Sequence, residues 1–176
     1  MPTKPNLEYA VLGGGCFWCL EALYSRVPGV VGVEPGYAGG ETEDPAYEQV
    51  CTGRTGHAEV VKVLFQPDHV SYPEILDRFW RFHDPTTKDR QGSDVGTQYR
   101  SIILCTGPEQ QAEAERSKQQ AQKSFSTPIV TEITPLVMFY PAEEYHHNYF
   151  EKNPGQGYCQ VIIRPKVDKN FPSTAT

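Results

Sequence analysis

Apolar and polar positions along the chain follow two periods, and each period predicts a type of element. Segments in which apolar residues alternate or run together predict strands, and segments in which they recur every three to four positions predict helices. The predicted strands are 8–12, 59–65, 101–105, 129–133, 136–140 and 158–163. The predicted helices are 17–27, 72–83, 108–125 and 142–152. Because strands and helices do not alternate strictly, the pattern predicts an α+β fold with a mixed β-sheet and flanking helices.

Two further segments, 36–57 and 83–100, fit neither period. Both are rich in glycine, yet they carry tyrosines and acidic residues, a composition unlike that of a disordered chain. Loops longer than about 12–15 residues inside a compact domain are usually functional when they are not disordered. We therefore expect both segments to supply side chains to a site that is built on a rigid scaffold.

The bulk composition restricts the class of protein. A chain of 176 residues predicts one catalytic domain over 1–176, with flexible ends at 1–7 and 165–176. The net charge of −6 argues against nucleic acid and anionic membranes as partners. The five cysteines are odd in number and irregularly spaced, which favours a reducing compartment, and no apolar run approaches the length of a membrane span. These features predict a cytoplasmic protein, which we expect to be a monomer.

The segment GGGCFWC, residues 13–19, joins the first predicted strand to the first predicted helix. Glycines up to Gly15 allow a sharp turn and leave room for a substrate. Cys16 then lies at a helix N-terminus, where free N–H groups and the helix dipole favour an anion. Such positions lower the pKa of a cysteine below its usual value of about 8.5, so we expect Cys16 to be a nucleophile.

The aromatic pair Phe17-Trp18 bears on which chemistry this cysteine pair performs. Structural zinc sites need four ligands, and the chain has no second Cys-x-x-Cys. A thioredoxin-like dithiol oxidoreductase also places Cys-x-x-Cys at a helix start, but within a βαβ pattern. Aromatic rings bind methyl and thioether groups well, with sulfur–aromatic contacts worth about 0.3–1.5 kcal/mol. The non-enzymatic alternative is a binding module for methionine-rich peptides, in which Cys16 has no chemical role.

Five motifs follow one another between Gly13 and Cys159: GGGCFWC, GYAGG, PAYEQVCTGRTGHAEVV, GSDVGTQYRS and AEEYHHNYFEKNPGQGYC. Together, and in this order, they resemble the motifs of the peptide methionine sulfoxide reductase A family. The resemblance implies a thiol-dependent reductase that converts methionine S-sulfoxide, free or in proteins, to methionine and so repairs oxidised proteins. It also implies a ferredoxin-like core, no metal or organic cofactor, and an external reductant, thioredoxin or dithiothreitol.

The resemblance also implies roles for individual residues. Cys16 is the nucleophile that attacks the sulfoxide sulfur and becomes a sulfenic acid. Phe17 and Trp18 form the pocket for the methyl group of the substrate, and Glu59 is the acid. The other pocket positions, which hydrogen-bond the sulfoxide oxygen or a water beside it, are Tyr47, Asp94 and Tyr99. General chemistry independently supports Glu59 as the acid. A sulfoxide oxygen leaves only when it is protonated, and a carboxyl group in a water-poor pocket has a raised pKa, so it can donate that proton.

The cysteine that resolves the sulfenic acid has two candidates. Many members of the family have Gly where this chain has Cys19, and they use a cysteine near the C-terminus, a position that Cys159 matches. Cys19 lies three residues from Cys16 and could form a disulfide without rearrangement of the chain. The family position favours Cys159, and the pairing stays open.

Overall fold

The computed structural model describes residues 6–172, which contain a central β-sheet. The strands are β1 (Glu8–Gly13), β2 (Val30–Ala38), β3 (Ala58–Phe65), β4 (Arg90–Gln91), β5 (Asp94–Val95), β6 (Ile102–Cys105), β7 (Glu132–Pro135) and β8 (Phe139–Pro141). Six of them form one sheet in the order β7-β6-β1-β3-β2-β8, in which only β6 and β7 pair in parallel. Strands β4 and β5 form a separate antiparallel pair. The sheet is mixed, as predicted.

The helices complete a recognisable topology. They are α1 (Phe17–Tyr24), α2 (Tyr47–Cys51), α3 (Tyr72–Phe82), α4 (Pro108–Gln122), α5 (Tyr149–Lys152) and α6 (Arg164–Asn170). The connectivity β1-α1-β2-β3-α3-β6, with the spatial order β6-β1-β3-β2, is the ferredoxin-like arrangement. The predicted α+β class and ferredoxin-like core are therefore confirmed. Between residues 6 and 172, no helix combines the length and the apolar character that crossing a bilayer requires.

The main core lies between the sheet and helices α1 and α3. Phe17, Leu20 and Leu23 of α1 are fully buried there, together with Ile75 and Phe79 of α3. Full burial of each such side chain stabilises the fold by about 1.5–3 kcal/mol. Packing thus fixes α1 against the sheet, and it thereby fixes the position of the residue that precedes the helix.

Elements with a clear period agree with the prediction. Strand β3 and helix α3 match the predicted 59–65 and 72–83 to within one residue at each end. Helix α3 begins at a capping box, in which the Glu74 N–H donates to Ser71 Oγ and the Ser71 N–H donates to Glu74 Oε2. Periodicity and cap agree here, so this element is the easiest to derive from the sequence.

Strand β2 is absent from the prediction because its sequence, VVGVEPGYA, contains residues that disfavour strands. Pro35 lies in the middle of the strand, opposite Val61 of β3, whereas β8 pairs only with residues from Gly36 onward. The first part of β2 is thus an edge strand, where proline is tolerated because no neighbour requires its N–H.

The segments after residue 141 correct the prediction. A helix over 142–152 is wrong, because Asn148 has a positive φ of 55° and separates a short turn at Glu144–His146 from α5. A strand at 158–163 is also wrong, because Cys159–Ile163 form a wide π-helical turn that continues into α6. In that turn the buried residues are four positions apart, which is helical spacing.

The predicted flexible ends are corrected in part. Helix α6 occupies 164–170, and its Val167 is buried against the main core, so the prediction of a flexible segment from 165 onward is wrong for this helix. Residues 1–5 and 173–176 of the predicted ends lie outside the described residues.

Candidate active site

The turn between β1 and α1 places Cys16 at the start of the helix. Gly15 has a φ of +87°, which side chains other than glycine rarely adopt, and its N–H donates to the Tyr99 carbonyl at 3.1 Å. A Cβ on Gly14 would lie 2.7 Å from His83 Cδ2. The backbone conformation at Gly15 and the close packing at Gly14 therefore require glycine at both positions. Cys16 is the residue before α1 and retains 8% exposure, so its sulfur lies just inside the surface.

Glu59 lies on β3 with its carboxyl group against the first turn of α1. The Phe17 N–H donates to Glu59 Oε1 at 3.1 Å, which places the carboxyl group beside the peptide that follows Cys16. Glu59 is 1% exposed, and its Oε2 has no hydrogen-bond partner among the described residues. A buried polar atom without a partner is rare and costly, and at a reactive site it suggests a ligand atom that is still to bind.

Burial determines the protonation state of Glu59. It raises the pKa of the carboxyl group to about 8, against a smaller lowering by the Phe17 N–H and a further raising by Asp94. The group is therefore a neutral acid at pH 7. A carboxyl group with this pKa is suited to donate a proton near neutral pH.

The same shift predicts that Glu59→Gln stabilises the fold at high pH. The folded-state pKa lies above the unfolded value of 4.5, so folding is penalised once the unfolded carboxyl ionises above pH 4.5, and the penalty is complete above pH 8. We expect the variant to gain up to about 4 kcal/mol in the free energy of unfolding at pH 8, and nothing at pH 4. Urea denaturation at both values measures this.

Glu115→Gln is the matched control for that measurement. Glu115 is exposed on α4, so its replacement should change the free energy of unfolding by less than about 0.5 kcal/mol at either pH. An equal gain for Glu59→Gln at both pH values would contradict the ionisation argument and indicate simple repacking.

The expectation of a lowered pKa for Cys16 is wrong. Burial raises the pKa of the thiol well above its ordinary value, and the neighbouring Glu59 and Cys19 raise it further. The N–H of Trp18 opposes them. One helix terminus does not offset the loss of hydration beside acidic groups, so Cys16 is a thiol in the resting protein.

An aromatic cluster surrounds the two residues that follow Cys16. The Phe17 ring packs against Tyr47, at 6.4 Å between centroids, and against His146, at 4.9 Å. The Trp18 ring stacks on Tyr149 at 3.7 Å with an interplanar angle of 6°. The Trp18 Nε1–H donates to His146 Nδ1 at 3.0 Å, so both ends of the indole are held. The cluster forms an apolar wall around the first turn of α1, directly after Cys16.

The other predicted site residues surround the same carboxyl group. Tyr47 and Tyr99 are half-buried, and the pKa of each phenol is raised first by burial and then by the Glu59 charge, with Cys16 a smaller contributor. Asp94, on β5, accepts a hydrogen bond from the Tyr158 hydroxyl at 2.6 Å. The structure therefore brings together side chains that are up to 83 positions apart in the chain, from Cys16 to Tyr99.

Three contacts of Trp18 were missed by the sequence reasoning: His146, Tyr149 and Tyr158. His146 is fully buried, and burial lowers the pKa of its imidazole, so the ring is neutral and its Nδ1 is free to accept from Trp18. A signal was available in the density of histidine and tyrosine between 145 and 158. No group of three or more His, Cys, Asp or Glu side chains in the described part of the chain is arranged to hold a metal ion.

The two candidate resolving cysteines occupy different environments. Cys19 is on the first turn of α1, where its N–H donates to the Cys16 carbonyl at 3.1 Å and its Sγ lies 3.9 Å from the Tyr158 hydroxyl. Cys159 is fully buried in the π-helical turn, and burial alone raises the pKa of its thiol. The proximity of Cys19 is one of the factors that raise the pKa of the Cys16 thiol.

Comparison with known proteins gives a consistent result. Residues 8–175 match the family described as peptide methionine sulfoxide reductase. A peptide methionine sulfoxide reductase MsrA of Leptospira borgpetersenii is 57% identical over 163 residues, covering 93% of each chain. The reduced form of Mxr1 from Saccharomyces cerevisiae has a TM-score of 0.84 at 36% identity and covers 90% of this chain and 92% of its own. Mxr1 in complex with Trx2 has a TM-score of 0.60 at 26% identity, covering 85% and 89%.

Proposed function

The chain belongs to the peptide methionine sulfoxide reductase family, and we propose that it reduces methionine S-sulfoxide, free or in proteins, to methionine at Cys16. The activity is the thiol-dependent reduction of methionine sulfoxide, which repairs oxidised proteins. The observation that carries the assignment of the site is the neutral, buried Glu59, whose Oε2 has no partner among the described residues and lies beside the Cys16 turn. It is an acid positioned for a substrate oxygen.

The aromatic wall binds the methyl group of the substrate. Phe17 and Trp18 present their rings next to Cys16, and Trp18 cannot rotate away because it is hydrogen-bonded by His146 and stacked on Tyr149. An apolar surface accepts a methyl group and rejects the sulfoxide oxygen, which would lose its hydrogen bonds to water there. The wall therefore orients the sulfoxide with its oxygen toward Glu59.

The first chemical step follows from this orientation. Glu59 donates its carboxyl proton to the sulfoxide oxygen while the Cys16 sulfur attacks the sulfoxide sulfur. The sulfoxide is reduced by two electrons to the thioether, the oxygen ends on Cys16 as a sulfenic acid, and the thiol proton of Cys16 replaces the proton that Glu59 donated. The Tyr47 and Tyr99 hydroxyls stabilise the charge that develops on the oxygen.

The same geometry supports selectivity for one epimer. The sulfoxide sulfur is pyramidal, and the site fixes three directions around it: the methyl group at the wall, the oxygen at Glu59 and the attacking sulfur of Cys16. Only one epimer then directs the rest of the amino acid or peptide toward solvent, and family membership makes it the S epimer. The mirror-image epimer would place the peptide chain against the buried strand β3.

The second step forms a disulfide, and we assign it to Cys19 before Cys159. Residues three apart at a helix start are within the Cα separation of about 4.4–6.8 Å that a disulfide requires. Cys159 stays buried in the π-helical turn. This assignment reverses the preference that the family position gave to Cys159.

The proposal also covers the reductant, the cofactor requirement and the location of the protein. A thioredoxin is the reductant, since a yeast relative is known in complex with Trx2, and dithiothreitol would replace it in vitro. The reaction as derived needs only thiols and a carboxyl group, so no metal or organic cofactor takes part. The acidic chain works as a cytoplasmic monomer without nucleic acid or membrane partners.

A thiol count tests the proposed function. Fully reduced protein is mixed with excess S or R epimer of N-acetyl-methionine sulfoxide without reductant, and free thiols and methionine product are quantified together. We expect one N-acetyl-methionine and the loss of two thiols per protein with the S epimer only, and none with Cys16→Ser. No product with either epimer would refute the proposal, and reduction of a protein disulfide added in a second assay would then indicate a dithiol oxidoreductase.

A further inference from the structure

Tyr158 connects the thiol of Cys19 to the carboxylate of Asp94. Its hydroxyl donates to Asp94 Oδ2 at 2.6 Å, and the same oxygen lies 3.9 Å from Cys19 Sγ. A phenol has a single proton to donate, and here it is committed to the short bond with the carboxylate. The contact with Cys19 must therefore run in the other direction, with the thiol donating to the phenol oxygen. The result is a chain from S–H through O–H to a carboxylate.

The three members come from distant parts of the chain and meet at one point. Cys19 belongs to α1, Asp94 to β5, and Tyr158 directly precedes the π-helical turn. The Tyr158 ring also packs edge-on against Trp18, at 5.9 Å between centroids. The fold thus brings the hydroxyl to the second cysteine by the same packing that builds the methyl pocket.

The environment of Cys19 makes such a connection useful. Cys19 is 2% exposed, so bulk water is not available to remove its proton. Burial raises the pKa of the thiol, and Lys166 of α6 opposes that shift. The titratable and charged groups that face Cys19 from α1, β3, β5, the π-helical turn and α6 are Cys16, Glu59, Asp94, Tyr158 and Lys166. Among these, Asp94 is the carboxylate to which the Tyr158 hydroxyl is bonded.

We propose that Tyr158 and Asp94 are the catalytic base of the disulfide-forming step, taking the proton from Cys19 as it attacks the sulfenic acid of Cys16. The inference rests on the proposed function and on the assignment of Cys19 as the resolving cysteine. The Cys19 sulfur forms a bond with the Cys16 sulfur, and the Cys16 S–O bond breaks. The thiol proton passes to the phenol oxygen as the phenol proton passes to Asp94. The departing hydroxide takes the proton of Glu59 and leaves as water. Asp94 then returns one proton to Glu59 through solvent, so charge and atoms balance.

The relay predicts a selective defect in the second step. In the first step neither the Tyr158 hydroxyl nor Cys19 reacts, and a phenylalanine at 158 would keep the ring edge against Trp18. Removal of the hydroxyl alone should leave methionine formation within a few-fold of the wild-type rate and slow disulfide formation. General-base effects of this kind are typically about 100-fold or more.

The test is a single-turnover experiment on reduced protein with the S epimer. Samples are quenched over time, and methionine, sulfenic acid (trapped with dimedone) and disulfide (located by peptide mapping) are measured in each. For Tyr158→Phe we expect disulfide formation to slow by about 100-fold while sulfenic acid accumulates. The rate of disulfide formation in Tyr158→Phe should rise with pH, because only the small ionised fraction of Cys19 then reacts. Tyr24 lies at the far end of α1, and its buried hydroxyl donates to the Ile75 carbonyl of α3. Tyr24→Phe loses this hydrogen bond, is the matched control and should behave as wild type.

The outcomes separate the inference from its premises. Disulfide formation at the wild-type rate in Tyr158→Phe, with Cys16 and Cys19 joined, would overturn the relay and leave the proposed function intact. A wild-type disulfide between Cys16 and Cys159 would remove the Cys19 assignment and the relay together. Failure of the wild type to form methionine would refute the proposed function itself.

Discussion

Glu59→Gln should lower the rate constant of methionine formation by about 100- to 1,000-fold at pH 7. In the wild type the acid is neutral below its pKa of about 8, so the rate constant should be constant toward lower pH and fall as pH rises above 8. Glutamine keeps an oxygen to accept the Phe17 N–H but has no acidic proton, so the variant should be slow and lack that decline. Rapid-quench measurement of methionine in the first turnover, from pH 5.5 to 9.5, checks both.

Glu59→Asp is the matched control for the role of the acid. Aspartate keeps the carboxyl group but withdraws it by one methylene, so we expect an intermediate rate together with a decline at high pH. A first-turnover rate for Glu59→Gln that equals the wild-type rate at pH 7 would remove Glu59 from the acid role. Glu59→Gln is thus expected to lower activity while it raises the free energy of unfolding at high pH. This combination is typical of a residue that is retained for catalysis although it destabilises the fold.

The sequence predicts the scaffold where one physical signal dominates. Strand β3 is a run of apolar residues, and helix α3 has both an apolar face and a capping box, so local preference and tertiary burial agree there. Strand β2 fails because Pro35 is tolerated only through its position at an edge, and edges are set by the packing of other strands. The π-helical turn was not predicted because the apolar residues at 159, 161 and 163 have the spacing of a short strand. Only the structure shows that Cys159 and Ile163 are buried while Val161 is exposed.

The candidate site, like the scaffold, could be predicted from the sequence only in part. Residues in the family motifs, from Gly15 to Tyr99, are found around one buried carboxyl group, yet their roles stay proposals for the experiments above. The pKa of Cys16 could not be derived from its position at a helix start, because the opposing effect comes from burial and from Glu59, 43 positions away. His146 was missed since its partner, the Trp18 indole N–H, is distant in the chain. Long-range contacts and desolvation are what the sequence does not display.

Cys19→Ser should abolish repeated turnover while preserving the first reaction. One methionine per protein should form at the wild-type rate, because the sulfur of Cys19 has no part in the attack by Cys16. Turnover with thioredoxin should then fall by about 100-fold or more, since the sulfenic acid loses a thiol held at high effective concentration on the same helical turn. Steady-state assays with thioredoxin, without dithiothreitol that could attack the sulfenic acid directly, measure this loss.

Cys159→Ser is the variant with which Cys19→Ser must be compared, because the pair of results identifies the resolving cysteine. If Cys19 resolves the sulfenic acid, Cys159→Ser should retain turnover within a few-fold, because the first disulfide forms at the start of α1 without Cys159. The reverse pattern would contradict the assignment. It would require the fully buried Cys159 to leave the π-helical turn and displace Tyr158, which holds Asp94 and packs on Trp18. A disulfide within one helical turn needs no such rearrangement, which is why the structure favours Cys19 over the position that the family pattern indicates.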